Sequence, residues 1–261
     1  MTDSKKYTSK LANARILIVG GSSGIGYSVA EASLEYGGHV IISSSQQSRI
    51  DVAIEQLLQT YPSAKGRISG YACDLSSPSV EANIEHLYAQ CGDRLDHIVF
   101  TSGDKLATMP LANATLENVQ QAGMVRFFAP LLVAKHAKAH LNPGPASSIT
   151  LTTGVVSEKP MKDWSVVASY ATGLHGMTRN LALDLAPIRV NLISPGVVLT
   201  PLWDDMTQDK REALIEDSGK KYTTGVVGKP EDVAESYLYA MRDWNCSGSV
   251  IHTNGGGLLT S

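Results

Sequence analysis

The sequence predicts an α/β protein built on one doubly wound, seven-stranded parallel sheet, and three observations carry that reading. Residues 16–19 are an apolar run that breaks into Gly20-Gly21-Ser22-Ser23-Gly24-Ile25-Gly26 and continues as a helical pattern through Ile25, Val29, Ala32 and Leu34. Beyond this turn, short apolar or β-rich runs alternate with longer stretches of helical periodicity, seven of the first and about six of the second. The 261 residues are 43% hydrophobic and show no linker, internal repeat or low-complexity segment, which fits one domain spanning 1–261 better than two small ones. Right-handed crossovers and the nature of the first turn give the strand order 3-2-1-4-5-6-7. That order places a ligand crevice at the carboxyl ends of the strands.

The second strand is predicted at 39–43 and a helix at 50–58. A third strand at 68–73 ends at Asp74, a helix covers 80–89, and a fourth strand covers 97–101. Residues 116–141 hold one or two helices, which Pro143 and Pro145 end. A β-rich strand at 148–153 precedes a long helix at 165–185, with Leu174, Met177, Leu181 and Leu185 on one stripe. A sixth strand at 188–193 is stopped by Pro195-Gly196. The polar segment 197–228, a substrate-loop region, is irregular apart from a helix near 207–217. Pro230 opens a helix to about 241, and a strand at 249–253 closes the pattern before Gly255-Gly256-Gly257.

Composition narrows the function classes. A net charge of −3 with acids and bases interspersed indicates neither a nucleic-acid nor a membrane partner. The first ten residues form a polar tail without the apolar core of a secretory signal, and no apolar run approaches the ~18 residues of a membrane span. Cys73, Cys91 and Cys246 are odd in number and widely spaced, so they are expected to stay reduced in a cytosolic protein. No run of His, Cys or carboxylates has the spacing of a metal site.

In the first turn, Gly20 lets the chain reverse, Gly24 and Gly26 allow close approach of backbone and ligand, and the N–H groups opening the helix face a phosphate. The functional reading is a dinucleotide site; the plain one is an ordinary glycine-rich turn. Residues 43–49, Ser-Ser-Ser-Gln-Gln-Ser-Arg, follow the second strand without the carboxylate that an NAD ribose attracts. Hydroxyls and amide at Ser44, Ser45 and Gln46, with the Arg49 guanidinium, suit a 2′-phosphate and hence NADP(H). Otherwise the stretch is a solvated loop whose Arg49 points to water.

Several segments together resemble the short-chain dehydrogenase/reductase family over about residues 12–258, which implies its Rossmann-type sheet. Val19-Gly20-Gly21-Ser22-Ser23-Gly24-Ile25-Gly26 resembles the family's Thr-Gly-x-x-x-Gly-x-Gly turn, with Val19 in place of Thr. Cys73-Asp74-Leu75 is similar to the adenine-contacting segment, and Thr101-Ser102-Gly103 stands where the family carries the end of Asn-Asn-Ala-Gly. Pro195-Gly196, Val198 and Thr200 resemble the nicotinamide-side loop, with Thr200 expected at the carboxamide or phosphate. Thr153, beside Gly154 at the end of the fifth strand, is expected from the resemblance to contact the cofactor. Family members associate as homodimers or homotetramers through long helices, here about 116–141 and 165–185.

The family's proton-transfer machinery is Asn, Ser, Tyr and Lys, and counting from Gly176 and from the strand 149–153 finds none of them. Val167 stands at the tyrosine, Ala171 at the lysine, Gly154 at the serine and Arg126 at the asparagine. Tyr170 is three residues out of register, and no lysine lies between Lys162 and Lys210. Reduction of a ketone without a positioned acid loses about 10²–10⁴-fold. A cationic iminium needs hydride but no proton at the reacting carbon. A subgroup that the sequence resembles further, the reductases and Diels–Alderases of fungal bicyclic indole-alkaloid pathways, has similar Arg-Phe-x-Ala-Pro and Trp-Ser-x-Val segments (here 126–130 and 164–167). Those proteins lack the tyrosine and lysine and place an arginine and an aspartate near the substrate. Arg126 matches the arginine. The aspartate's place falls at Met161, two residues from Asp163.

Arg126 therefore reads either as a donor gripping a substrate or cofactor oxygen or as one half of a structural ion pair. Asp163 is either an acid that pairs with a cationic substrate nitrogen or a helix N-cap. Trp164 and Trp203 flank the cleft, as substrate contacts or as core, while His175 and His252 read as packed. Three functions remain. One is an NADP(H)-dependent reductase of C=N or activated C=O groups in secondary metabolism; another is a non-redox cyclase or isomerase using the cofactor-lined pocket; the third is a non-catalytic nucleotide-binding protein.

Overall fold

Strands this apolar must be covered on both faces, and the chain achieves this with two helical layers. In the computed structural model, which describes residues 4–92 and 94–260, the strands are β1 (Arg15–Val19), β2 (His39–Ser44), β3 (Ile68–Ala72), β4 (His97–Phe100), β5 (Ser148–Thr152), β6 (Arg189–Pro195) and β7 (Val250–Thr253). They form one parallel sheet in the order β3-β2-β1-β4-β5-β6-β7, the order the sequence predicts. The period of two along β1 sends Leu17 and Val19 to one core and Ile16 and Ile18 to the other. The first core lies under α3 (Val80–Cys91), α5 (Ala129–His140) and α6 (Ser165–Asp184). The second lies under α1 (Gly24–Glu35), α2 (Gln47–Thr60) and α8 (Pro230–Arg242).

Several boundaries shift from the sequence reading, each for a physical reason. Helix α2 starts at Gln47 rather than 50, because Gln47, Ser48 and Arg49 are exposed and carry no apolar period; Gln47 Nε2 donates to Asp51 Oδ1 at 2.9 Å. The edge strand β3 stops at Ala72, where it is already exposed. The stretch 116–141 resolves into α4 (Leu116–Gly123), a π-helical turn (Met124–Phe128) and α5, with a Thr115–Asn118 capping box at the start of α4. Helix α7 (Gln208–Lys221) runs four residues past the expected end, and Gly219 is its one buried residue.

Buried Arg189, at the start of β6, donates to the carbonyls of Pro145, Ala240, Met241, Asp243 and Cys246, tying the last turn of α8 to the sheet. That use of all its nitrogens satisfies an otherwise costly buried charge. Of the polar tail, residues 1–3 lie outside the described residues, and Lys10 Nζ reaches the Arg242 carbonyl at 2.8 Å. The three cysteines are free and buried. Among the described residues, no helix is long and apolar enough to cross a membrane.

Candidate functional site

The segments expected to hold the cofactor follow the carboxyl ends of strands of one parallel sheet, whereas Arg126 lies in a turn between two helices and Asp163 and Trp164 lie at the start of α6. The turn after β1 is fixed by steric demand. Gly20 has φ +94°, and a Cβ there would lie 2.5 Å from the Ser102 nitrogen. A Cβ on Gly26 would overlap the Gly20 carbonyl and the Thr101 hydroxyl. Thr101 Oγ1 donates to the carbonyls of Val19 (3.1 Å) and Gly20 (3.3 Å), locking the end of β4 to this turn. Gly24, at φ +54°, would set a Cβ 3.2 Å from Cβ of Thr200. Of the close approach of backbone and ligand expected at Gly24 and Gly26, the structure displays the protein's own side, Gly24 against the β6 loop and Gly26 against the ends of β1 and β4. Ser22 and Ser23 precede α1, whose N-cap Ser23 makes no side-chain cap, so the N–H groups of Ile25 and Gly26 remain at its open end.

Around this turn, Ser44 is partly buried, whereas Ser45, Gln46 and Arg49 are exposed at the start of α2. Asp74 spends its carboxylate on Ser76, accepting from the Ser76 amide at 2.9 Å and hydroxyl at 2.7 Å, and these bonds lower its pKa. Cys73 and Leu75 turn into the core, and burial pushes the Cys73 thiol up to about 11. Those two residues can therefore offer a ligand only backbone.

The region around Arg126 is built differently. Arg126 sits in the π-helical turn, a geometry that recurs at functional sites. Its Nε donates to Asp104 Oδ1 at 3.0 Å and its Nη2 to the Asp104 carbonyl. Burial lowers the Arg126 pKa and Asp104 opposes that shift, which keeps the guanidinium charged. A Cβ on Gly103 would lie 2.8 Å from Arg126 Nη1, so a larger residue there would push the guanidinium from this position. The ion-pair alternative for Arg126 is the one the geometry displays. The side chain still keeps 26% of its surface exposed, enough for a further acceptor.

Asp163 is not the N-cap of α6. That position is held by Trp164, without a side-chain cap, while Asp163 adopts φ +65° and its carbonyl accepts from the Met109 amide at 2.9 Å. This left-handed backbone, which aspartate tolerates better than most residues, joins the β4–α4 loop to the start of α6 and leaves the carboxylate exposed. Trp164 is half-buried beside it, and Trp203 Nε1 donates to the Val198 carbonyl at 2.9 Å. Lys105 and Asp205 pair at 3.6 Å between the β4 and β6 loops.

The hydroxyls nearest the family's catalytic register are committed elsewhere. Tyr170 donates to the Val119 carbonyl at 2.9 Å and packs tilted against Phe127 and edge-on against Phe128; Thr153 Oγ1 donates to the Ala171 carbonyl at 2.8 Å. At Gly154 a Cβ would meet only the Pro195 carbonyl, 3.9 Å away. His175 lies against Ser157, Nε2 to Oγ 2.9 Å, as a packed residue would. His252 is instead 39% exposed and faces Glu158 at 3.3 Å.

Sequence reasoning missed Asp104, although a carboxylate directly after Thr101-Ser102-Gly103 at a strand end is a visible signal. It also missed that folding gathers Glu81 and Glu85 of α3 with His136 of α5. Two helices far apart in sequence supply that group, and Glu81 is already engaged by Lys135 and His136.

An SDR-like Rossmann domain model matches residues 7–260. The chain is 48% identical to the short-chain dehydrogenase/reductase fsr5 of Gibberella fujikuroi, with 98% of each chain covered. It is 39% identical to the short-chain dehydrogenase/reductase malC of Malbranchea aurantiaca over 99% of this chain and 100% of that one. The solved structure of the MalC reductase/Diels–Alderase from that organism aligns at TM-score 0.91, covering 97% of this chain and 99% of its own at 39% identity. A small-chain dehydrogenase solved in complex with NADPH aligns at TM-score 0.77 and 27% identity, covering 95% and 99%. With the glycine turn, the sheet order and these full-length matches in agreement, the chain belongs to the short-chain dehydrogenase/reductase family.

Proposed function

We propose that this protein binds NADP(H) across the carboxyl ends of β1, β2 and β4 and reduces a C=N (iminium) or activated C=O group in a biosynthetic pathway of fungal type. The observation that carries the reading is the contrast within one site. The nucleotide turn is sterically complete, yet Val167, Ala171 and Gly154 stand where the family places Tyr, Lys and Ser. The N–H groups opening α1 suit the pyrophosphate, and Arg49 with Ser44, Ser45 and Gln46 suits a 2′-phosphate. The relative solved with NADPH supports the cofactor class. When bound, NADPH supplies the hydride; the protein's part is to hold the acceptor. Arg126 would donate from its exposed edge to a substrate oxygen, with Asp104 fixing the guanidinium plane. Asp163 would face a cationic nitrogen, and Trp164 and Trp203 would pack on an extended ring system.

The resemblance to the MalC reductase/Diels–Alderase favours a second reading, in which the cofactor-lined pocket also orders a substrate for cyclisation without net redox change. Anaerobic incubation with NADPH and cyclic iminium or keto candidates separates the two. Loss of reduced-nicotinamide absorbance matched to product supports reduction. Conversion without that loss supports cyclisation, and no conversion with tight NADPH binding removes the enzymatic reading. Self-association through α5 and α6 belongs to the same proposal. The outward face of α6 carries the small residues Ser169, Thr172 and Gly176, which permit close helix approach, and sedimentation would measure it.

A further inference from the structure

The glycine run after the last strand has no role in nucleotide binding as described, yet its geometry is tightly constrained. The ring of Tyr222, directly after α7, lies among three glycines from two distant segments. A Cβ on Gly257 would come 2.7 Å from its Cε1, one on Gly255 2.8 Å from its Cδ2, and one on Gly196 2.6 Å from its hydroxyl. That hydroxyl accepts the Val197 amide at 2.7 Å. The neighbouring residues close the same joint. Thr223 Oγ1 donates to the Gly255 carbonyl at 3.0 Å, and the Thr224 amide donates to it at 3.2 Å. The Lys159 ammonium donates to the carbonyls of Gly257 (2.8 Å) and Thr260 (2.7 Å), and Thr260 Oγ1 donates to the Lys221 carbonyl.

Helix α7 has almost nothing else to hold it, since Gly219 is its one buried residue. The Val198–Gly228 bridge closes the excursion that carries the helix, and Tyr222 anchors the helix's C-terminal end. We infer that Tyr222 is a positioning residue: a peg in a glycine socket that holds segment 197–221 against the crevice and fixes the Gly196–Thr200 loop, through Val197, on the side where the nicotinamide half of a dinucleotide would lie. The adenine half, which would lie toward β2, is outside its reach. The inference rests on the proposed cofactor reading only for its ligand arm; the loop arm stands without it.

Hydrogen exchange on the free protein tests the loop arm. Tyr222→Phe removes one hydrogen bond and keeps the ring. Amides of 197–203 are expected to exchange about five- to tenfold faster, with β1 and β4 unchanged. Gly257→Ala, which keeps the hydroxyl but displaces the ring that carries it, should loosen the same segment and α7 further. Unchanged exchange in both variants, or acceleration spread evenly over the sheet, overturns the inference. The ligand arm compares NADPH with 2′,5′-ADP, which carries only the adenine half. In Tyr222→Phe, NADPH affinity should fall about five- to tenfold while 2′,5′-ADP binds as in the wild type; equal losses for both overturn the positioning role. A wild-type protein that binds neither compound sinks the cofactor reading instead, and the exchange result still decides the role of Tyr222.

Discussion

The turn after β1 and the strand end after β5 open into the same crevice and are held by opposite means. At the first, backbone meets backbone. Gly20, Gly26 and Thr101 leave no room for a different residue, and the constraint is written in the sequence as glycines at fixed spacing. At the second, Gly154 stands in open space, Thr153 bonds to α6, and Tyr170 bonds to α4. Arg126 meanwhile reaches the site from a π-helical turn that breaks the helical period. A region shaped by backbone sterics tolerates no drift, whereas one shaped by side chains can exchange its chemistry and keep its frame. On the proposed reading, this division is what would let a nucleotide fold keep its frame while its proton donors change.

The sharpest way to break the comparison is Gly26→Ala. The new methyl would sit 2.9 Å from the Gly20 carbonyl carbon and overlap its oxygen, so β1, α1 and β4 would have to separate. Overpacking of this kind costs about 3 kcal/mol. Urea unfolding should show that loss together with loss of NADPH binding. A variant of wild-type stability would show that the turn is looser than its geometry.

Next in size is Arg126→Ala. Removing a preorganised donor from a water-poor site costs about 10²–10³-fold in kcat, while NADPH affinity, set by the turn and β2, should hold within about twofold. Paired kinetics and fluorescence titration check this. A fall in NADPH affinity as large as the fall in rate would place Arg126 in cofactor binding instead. Asp104 stays paired with it in the wild type, so Arg126→Lys should also lose rate, because an ammonium cannot reproduce the two contacts of the guanidinium.

These two positions also mark how far the sequence could be read. Strand order and the glycine turn at the end of β1 followed from apolar runs, glycine spacing and right-handed crossovers, all of which are local signals or chirality rules. The Arg126–Asp104 pair did not, because 22 residues and a π-helical turn separate its members and no periodicity registers such a turn. Of the two alternatives for Asp163, the cap rested on propensity, since an aspartate before a helix is a good cap, and the structure removes it. Here the Met109 amide draws its carbonyl and the backbone turns left-handed. The glycine triplet was visible, but its partner Tyr222 lies 33 residues earlier in an irregular segment.

Arg49→Ala should have a smaller effect, confined to one cofactor. Exposed and solvated, Arg49 would contribute one charge-assisted contact to a 2′-phosphate, about 1.5–3 kcal/mol before screening and about tenfold in affinity after it. NADPH should weaken by that factor and NADH should not change. Equal losses would remove the 2′-phosphate from the serine-rich end of β2.

The smallest expected effect is at the open end of β5, and it tests the comparison from the permissive side. Gly154 has φ −167° and ψ 164°, extended backbone that any residue adopts, and a Cβ there would find only the Pro195 carbonyl at 3.9 Å. Gly154→Ser should therefore leave stability unchanged or raise it by about 0.4–1 kcal/mol, through the lower entropy of the unfolded chain. The same substitution at Gly26 would be ruinous, although both glycines line one crevice. Ketone reduction should not appear in Gly154→Ser, because a serine hydroxyl can orient a carbonyl but cannot replace the proton donor that Val167 and Ala171 do not provide. A gain of ketone reductase activity in this variant would reveal a proton source elsewhere in the site, and a stability loss like that of Gly26→Ala would mean that the two halves of the crevice are equally rigid.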